Sequence, residues 1–74
     1  MDKFTVGMNA GIVWRLLDDN RRMEYREVKK ITGMSDRDLN AAIGWLFRED
    51  KIQVDTLVDK GMEYLYLELN LYIG

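Results

Sequence analysis

Two short helical patterns meet at Gly33, and they constrain the fold more than any other feature of the chain. Before the glycine, Val28 and Ile31 are three residues apart, a spacing that places both on one face of a helix. After it, apolar residues at spacings of three and four predict a longer helix with one apolar face, formed by Leu39, Ala42, Ile43, Leu46 and Phe47. Two helices joined by a glycine-containing turn are typical of a helix-turn-helix.

Ser35 is the predicted N-cap of the longer helix, which we place over residues 35–49. Together with Asp38 it forms a Ser-x-x-Asp variant of the capping box. Asp36 and Asp38 lie in the first turn, where the helix dipole stabilises negative charge by about 0.3–1 kcal/mol. The two aspartates therefore have a structural explanation, although they stand where a DNA-reading helix would meet phosphates.

The remaining segments predict one more helix, a short strand and a C-terminal hairpin. The first helix is predicted over residues 9–20, with Asn9 as its N-cap, and residues 21–25 are predicted as a short strand. From Lys51 the apolar period changes to two, and residues 59–61 supply the hairpin turn. Helix, short strand, helix, helix and hairpin wing is the order of a winged helix-turn-helix, an α+β fold, which we predict as one domain over residues 1–74.

The chain contains no cysteine and no histidine, which removes disulfides, thiolate zinc sites and the commonest general base. We therefore expect no enzyme activity, no metal site and no cofactor, and no small-molecule substrate is indicated. No apolar run approaches the roughly 20 residues of a membrane span, and the first residues lack the apolar segment of a secretory signal. The expectation is a cytoplasmic location without a membrane partner.

Basic residues are concentrated immediately before the longer helix, although the whole chain carries a net charge of −2. Residues 21–34 contain five basic and two acidic side chains, a local excess that favours contact with phosphates. On the longer helix, Arg37, Asn40 and Ala41 lie opposite the apolar face, where arginine can address guanine and asparagine adenine. The predicted DNA-binding residues are Arg22, Arg26, Lys29, Lys30, Ser35, Arg37, Asn40, Ala41 and Lys60. A solvated helix face and a solvated charge block are the alternative interpretation.

The charges of the wing do not favour DNA binding. Its basic residue Lys60 stands among three acidic residues, Asp55, Asp59 and Glu63. A DNA duplex repels such a wing. The second wing strand alternates leucines, predicted to face the core, with tyrosines on the other face. If exposed, the tyrosine row marks an interface, and the alternative is that the first helix or residues 4–8 cover it. The predicted interface residues are Tyr64, Tyr66 and Tyr72.

Two functions are consistent with these patterns. The first is a transcription regulator that binds double-stranded DNA, with helix 35–49 as the recognition helix. It would act as a homodimer, because one small acidic domain makes few phosphate contacts. The alternative is a protein-interaction module that homodimerises through the C-terminal strand and the tyrosine face, without binding DNA.

Gly44 and Trp45 form an unusual pair inside the longer helix. A glycine within a helix costs roughly 1 kcal/mol relative to alanine, so another interaction must offset it. Close packing of Trp14 or Trp45 near Gly44 is the predicted cause, since aromatic rings usually pack into cores. A bound ligand or a partner subunit at Gly44 is the alternative.

Segments 9–14 and 44–52 resemble two recurrent motifs of a family of small winged helix-turn-helix proteins of unknown function from bacteria and archaea. The motifs are Asn-Ala-Gly-x-Val-Trp and Gly-Trp-Leu-x-Arg-Glu-Asp-Lys-Ile, and this sequence matches both. The resemblance implies a winged-helix fold and a regulatory or DNA-binding role, with no established substrate or catalytic residues. Ile12 departs from the polar residue expected at its position, which predicts an apolar side chain on the surface.

Overall fold

The computed structural model describes residues 1–70 and arranges them as three helices and three strands. In chain order, the elements are α1 (Lys3–Asn20), β1 (Arg22–Glu24), α2 (Tyr25–Thr32), α3 (Asp36–Arg48), β2 (Ile52–Asp59) and β3 (Met62–Leu69). The strands form an antiparallel sheet in the order β1-β3-β2. The predicted winged helix-turn-helix, an α+β fold, is confirmed, while Leu71 and Tyr72 of the predicted second wing strand lie outside the described residues.

Helix α1 begins well before the residue that the sequence pattern indicates. Its N-cap is Asp2, whose Oδ1 accepts a hydrogen bond of 2.7 Å from the Thr5 amide. The prediction of Asn9 as the N-cap was wrong, because Asp2 is an equally good capping residue and no proline interrupts the intervening turns. The helix ends at Asn20 as predicted, and the positive φ of 68° that follows falls at Arg21.

The outer face of α1 carries a line of exposed apolar side chains, Phe4, Met8 and Ile12, spaced four residues apart. The predicted surface position of Ile12 is thereby confirmed. Among residues 1–70, no helix combines the length and the apolar character that crossing a membrane requires.

The core lies between the helices and one face of the sheet. Its buried members are Ala10, Val13, Leu17, Met23, Val28, Leu39, Ala42, Leu46, Ile52 and Leu67. Ile31 and Phe47, both predicted to face the core, are each 57% exposed, so these two predictions were wrong. Phe47 lies about 100° around the helix from Leu46, outside the arc of α3 that meets the core. In α2 only Val28 is buried, because a helix of about two turns presents few side chains to one side.

A glycine and a serine set the corner between α2 and α3, as predicted. Gly33 ends α2 in the left-handed conformation, with a φ of 71°, and its amide donates to the Lys29 carbonyl at 2.9 Å. Glycine adopts this conformation without the steric cost of a Cβ. Ser35 then caps α3, where its Oγ accepts a hydrogen bond of 3.2 Å from the Asp38 amide. The end of α2 at Gly33 and the start of α3 at Ser35 therefore set the direction of α3 relative to α2.

The wing is a hairpin with a two-residue turn. Both turn residues have positive φ, 50° at Lys60 and 78° at Gly61. This is the pattern of a type I′ turn, whose twist matches that of paired strands. In the central strand β3, Leu67 lies opposite Met23 of β1 and opposite Val54 of β2, so these three side chains share the core face of the sheet.

Gly44 is exposed, and a Cβ built on it has no atom of a non-neighbouring residue within 4 Å. The prediction that Trp14 packs near Gly44 was therefore wrong. Trp45 turns to α1 instead, where its ring lies 3.9 Å from the position of a Cβ on Gly7. Successive residues of a helix are about 100° apart, so Trp45 faces α1 while Gly44 faces solvent.

Candidate nucleic-acid interface

The outer face of α3 is formed by Arg37, Ala41, Gly44 and Arg48, at spacings of four, three and four residues. The two arginines are exposed, and within residues 1–70 neither forms an ion pair. They are about 16 Å apart along the helix axis. Arg48 and Gly44 were not among the predicted site residues, although counting by helical spacing from Arg37 finds both.

A polar cluster joins the first residues of α2 and α3. Tyr25 donates its hydroxyl hydrogen to Asp36 Oδ1 at 2.9 Å, and Lys29 Nζ lies 3.1 Å from the same carboxylate oxygen. Burial, reinforced by the hydrogen bond to Asp36, raises the pKa of Tyr25 to about 12, so the hydroxyl remains a donor at neutral pH. Asp36 therefore stabilises the corner between the helices, and Lys29, a predicted phosphate contact, is paired there.

Asn40 belongs to the same polar cluster. Its Oδ1 lies 2.8 Å from the Tyr25 hydroxyl oxygen. Asn40 Oδ1 and Asp36 Oδ1 are therefore both within hydrogen-bond distance of the Tyr25 hydroxyl, and they accept its single hydrogen between them. Asn40, predicted to contact adenine, is thus held at the edge of the outer face of α3 and is engaged within the protein.

The guanidinium of Arg22 is held on the sheet face opposite the core. Its Nη1 donates to Glu68 at 2.7 Å and its Nη2 to Asp55 at 3.2 Å. Hydrogen bonds to Glu68 and then to Asp55 raise the pKa of Arg22 above its usual value. The guanidinium carbon also lies 4.6 Å from the centre of the Tyr66 ring. Arg22, a predicted phosphate contact, is therefore neutralised by two carboxylates of the wing.

Arg26, on α2, makes similar contacts with the same face of the sheet, but over Tyr64 and not Tyr66. Its guanidinium carbon lies 5.2 Å from the centre of the Tyr64 ring, and Nη2 donates to the Glu63 carbonyl at 3.1 Å. Its Nε is 3.9 Å from the Glu24 carboxylate. Tyr64 and Tyr66 are thus half-buried beneath two arginines, and α1, which packs on the opposite face, does not cover them.

The other predicted site residues lie apart from these pairs. Lys30 on α2 and Lys60 at the tip of the wing are exposed, and neither forms an ion pair in the part of the chain that the structure describes. Ser35 Oγ is occupied as the cap of α3. Among residues 1–70, the cations of α2, α3 and the wing tip that form no ion pair are Lys30, Arg37, Arg48 and Lys60.

Acidic conditions are expected to weaken the link between α2 and α3. Hydrogen bonds from Tyr25 and then from Lys29 hold the pKa of Asp36 below its ordinary value of 3.8. A carboxyl with a depressed folded pKa stabilises the fold above its unfolded pKa, and that contribution is lost as the pH falls through the folded pKa. The unfolding free energies of wild type and Asp36→Asn, measured in urea, should therefore differ more at about pH 6 than at about pH 2.5. An equal difference at both pH values would show that the charge of Asp36 contributes nothing.

Comparisons with known proteins add one finding to this geometry. A search of curated proteins and a search of solved structures each returned no match. The model of one protein family, described as a winged helix-turn-helix domain, matches residues 1–68, which include all three helices, β1 and β2 and nearly all of β3. The chain therefore belongs to the family described as Winged helix-turn-helix domain (DUF2582).

Proposed function

We propose that this protein binds double-stranded DNA as a transcription regulator, with the outer face of α3 in the major groove. The observation that supports the proposal best is the pair of exposed arginines on that face, Arg37 and Arg48, which form no ion pair among residues 1–70. Between them Ala41 and Gly44 are small, so the helix backbone can approach the base edges closely. The major groove, about 12 Å wide, admits an α-helix, and arginine pairs with guanine in bidentate fashion.

Four cations without an ion pair among residues 1–70 set the expected strength of binding. On random-sequence duplex DNA, where Arg37 and Arg48 meet phosphates instead of a specific guanine, they add to the phosphate contacts of Lys30 and Lys60. Each phosphate neutralised contributes about −0.9 to the slope of log K against log salt, so four contacts correspond to a slope near −3.6 per protomer. Because the chain is acidic overall and three predicted phosphate contacts are already paired, we propose that a homodimer is the binding form.

The decisive experiment is a titration with random-sequence duplex DNA at low salt, followed by fluorescence anisotropy. At about 50 mM salt we expect binding in the micromolar range that weakens as salt is added with the slope stated above. Absence of binding at high micromolar protein would remove the DNA-binding proposal. Binding that does not respond to salt would argue against phosphate contacts from the residues named.

An apolar groove beside α3 favours a second candidate function, self-association without DNA. The groove lies between α3 and the wing and is lined by Ile43, Gly44, Phe47, Val54 and Leu65. A twofold axis through it buries the groove of both copies in one contact. The sequence predicted an interface through the C-terminal strand and the tyrosine face. That strand, β3, is central in the sheet and already pairs with β1 and β2, so less of it is free to pair with a second copy.

Sedimentation analysis of three proteins tests this second candidate. Wild type is expected to be a dimer at about 100 µM, and Phe47→Asp a monomer, because a charge at the centre of a buried apolar contact is costly. Tyr66→Glu tests the tyrosine face and is expected to remain a dimer if the groove is the interface. A monomeric wild type would exclude self-association, and a monomeric Tyr66→Glu with dimeric Phe47→Asp would move the interface to the tyrosines.

A further inference from the structure

A cleft of about 380 Å³ opens between α1 and the C-terminal end of α3. This volume lies within the range of about 300–1,000 Å³ typical of small-molecule sites. The cleft is separate from the outer face of α3, because Trp45 on its wall faces α1 while Gly44, the preceding residue, faces solvent. The two segments matched by sequence motifs, 9–14 and 44–52, meet here although about thirty residues separate them in the chain.

The walls of the cleft contain both tryptophans of the chain, Trp14 from α1 and Trp45 from α3. Trp14 is half-buried, and Trp45 remains 41% exposed although it packs against α1. Neither indole is therefore enclosed by the core. Two accessible indole rings beside one cleft favour a flat, apolar group that stacks or packs edge to face against them.

The floor of the cleft contains two glycines of α1, which have no side chain to fill it. Gly7 and Gly11 lie four residues apart on α1, and both line the cleft. Apart from its chain neighbours and the adjoining backbone of α1, a Cβ on Gly11 would have no described atom within 4 Å, whereas one on Gly7 would contact the Trp45 ring. The space above Gly11 is therefore unfilled by the protein, and a larger side chain there would extend into the cleft.

The rim of the cleft carries a positive excess in a protein whose net charge is negative. Arg15 and Lys51 stand at the rim with Glu49. Within residues 1–70 none of the three forms an ion pair. Two cations without a fixed carboxylate partner favour an anionic group on a bound molecule.

From the indole walls, the glycine floor and the cationic rim, we propose that this cleft binds a small aromatic carboxylate. The ring system lies between Trp14 and Trp45 above Gly11, and the carboxylate faces Arg15 and Lys51. One or two fused rings match the volume of the cleft. The proposal is independent of DNA binding, because none of these residues belongs to the outer face of α3.

The probe for this site is 2-naphthoate, titrated into ¹⁵N-labelled protein while the two indole N–H signals are recorded. Both signals are expected to shift and to saturate together, with a Kd of about 1 mM or lower for a ligand of this size. The neutral analogue 2-naphthamide is expected to bind about two- to fivefold more weakly, because it forms no ion pair at the exposed rim. Signals that do not move at several millimolar 2-naphthoate, or equal affinities for the two compounds, would overturn the proposal.

Matched glycine variants locate the site. Gly11→Leu fills the space above the floor and is expected to weaken 2-naphthoate binding at least tenfold. Gly44→Leu, the same change in a helix but on the outer face of α3, is expected to leave the Kd within twofold of wild type. Far-ultraviolet circular dichroism establishes that each variant is folded. Equal losses in the two variants, or none in Gly11→Leu, would contradict binding in this cleft.

A charge variant that leaves the floor and walls intact provides an independent test. Lys51→Gln is expected to lower affinity for 2-naphthoate toward that of 2-naphthamide, with the contribution of Arg15 remaining, and to leave 2-naphthamide binding unchanged. This selective effect distinguishes a rim cation from a residue that merely supports the fold. A parallel loss for both compounds would contradict the proposed role of Lys51 in holding the carboxylate.

Discussion

Replacing Leu67 with alanine is expected to lower the free energy of unfolding by about 2–5 kcal/mol. Leu67 is fully buried in the central strand β3, between Met23 and Val54 on the neighbouring strands. The substitution removes its packing and leaves a cavity, because the surrounding backbone is paired on both sides and cannot collapse freely. A chain of this length has a total stability of about 4–11 kcal/mol, so the variant loses a large share of it. Urea denaturation followed by circular dichroism measures the loss.

Leu57→Ala is the matched control for this substitution. Leu57 is in the adjacent strand β2, lies opposite Tyr64 on the other face of the sheet, and is 48% exposed. The same atoms are deleted, and we expect a loss below about 1 kcal/mol because little buried surface is involved. Similar losses of unfolding free energy at Leu57 and Leu67 would contradict the strand register, which buries Leu67 on one face of the sheet and exposes Leu57 on the other. A one-residue change of register exchanges the faces, so the comparison tests the register itself.

Reversing the charges on the outer face of α3 is expected to abolish most of the proposed DNA binding. Arg37→Glu should weaken binding at least tenfold at about 50 mM salt, and Arg37→Glu combined with Arg48→Glu at least a hundredfold. Each change removes a cationic contact and places a carboxylate against the groove. If both arginines neutralise phosphates, the salt dependence of the double variant should also be less steep by about 1.8, because two contacts are lost. Fluorescence anisotropy at several salt concentrations measures both quantities.

Lys3→Glu is the control for the change of net charge. It alters the charge by the same amount as Arg37→Glu, but Lys3 is the first residue of α1 and belongs to neither proposed site. We expect its effect on DNA affinity to be less than threefold, since charges farther apart than the Debye length of about 10 Å are largely screened at moderate salt. If Lys3→Glu and Arg37→Glu weaken binding equally, the interaction depends on overall charge, and the outer face of α3 has no special role.

The basic block in residues 21–34 shows why a charge count does not reveal which cations are already paired within the fold. From the sequence, Arg22, Arg26 and Lys29 are cations available to phosphates. In the fold, Arg22 meets Glu68 and Asp55, whose positions depend on the pairing of all three strands. Lys29 meets Asp36 across the Gly33 corner. Partners from other elements neutralise Arg22 and Lys29, and helical or strand periodicity carries no information about such pairs.

The local pattern of the sequence determined the elements and most of the core. Spacings of three and four, the glycine corner, the change to a period of two and the positive-φ turn residues each act over a few neighbouring residues, so the winged helix-turn-helix follows from them. The same reasoning placed Leu39, Leu46 and Leu67 in the core correctly.

Tertiary structure alone decided which side chains remain free to act. It placed Asn40 against Tyr25, left Phe47 exposed in a groove beside the wing, and brought Trp14 of α1 and Trp45 of α3 to the lining of one cleft. The physical reason is that periodicity assigns a residue to a face of its own element, whereas contacts depend on what other elements place against that face. Hence the sequence by itself determined the fold of this protein, and only the assembled structure separated the arginines that form no ion pair among residues 1–70 from those already paired.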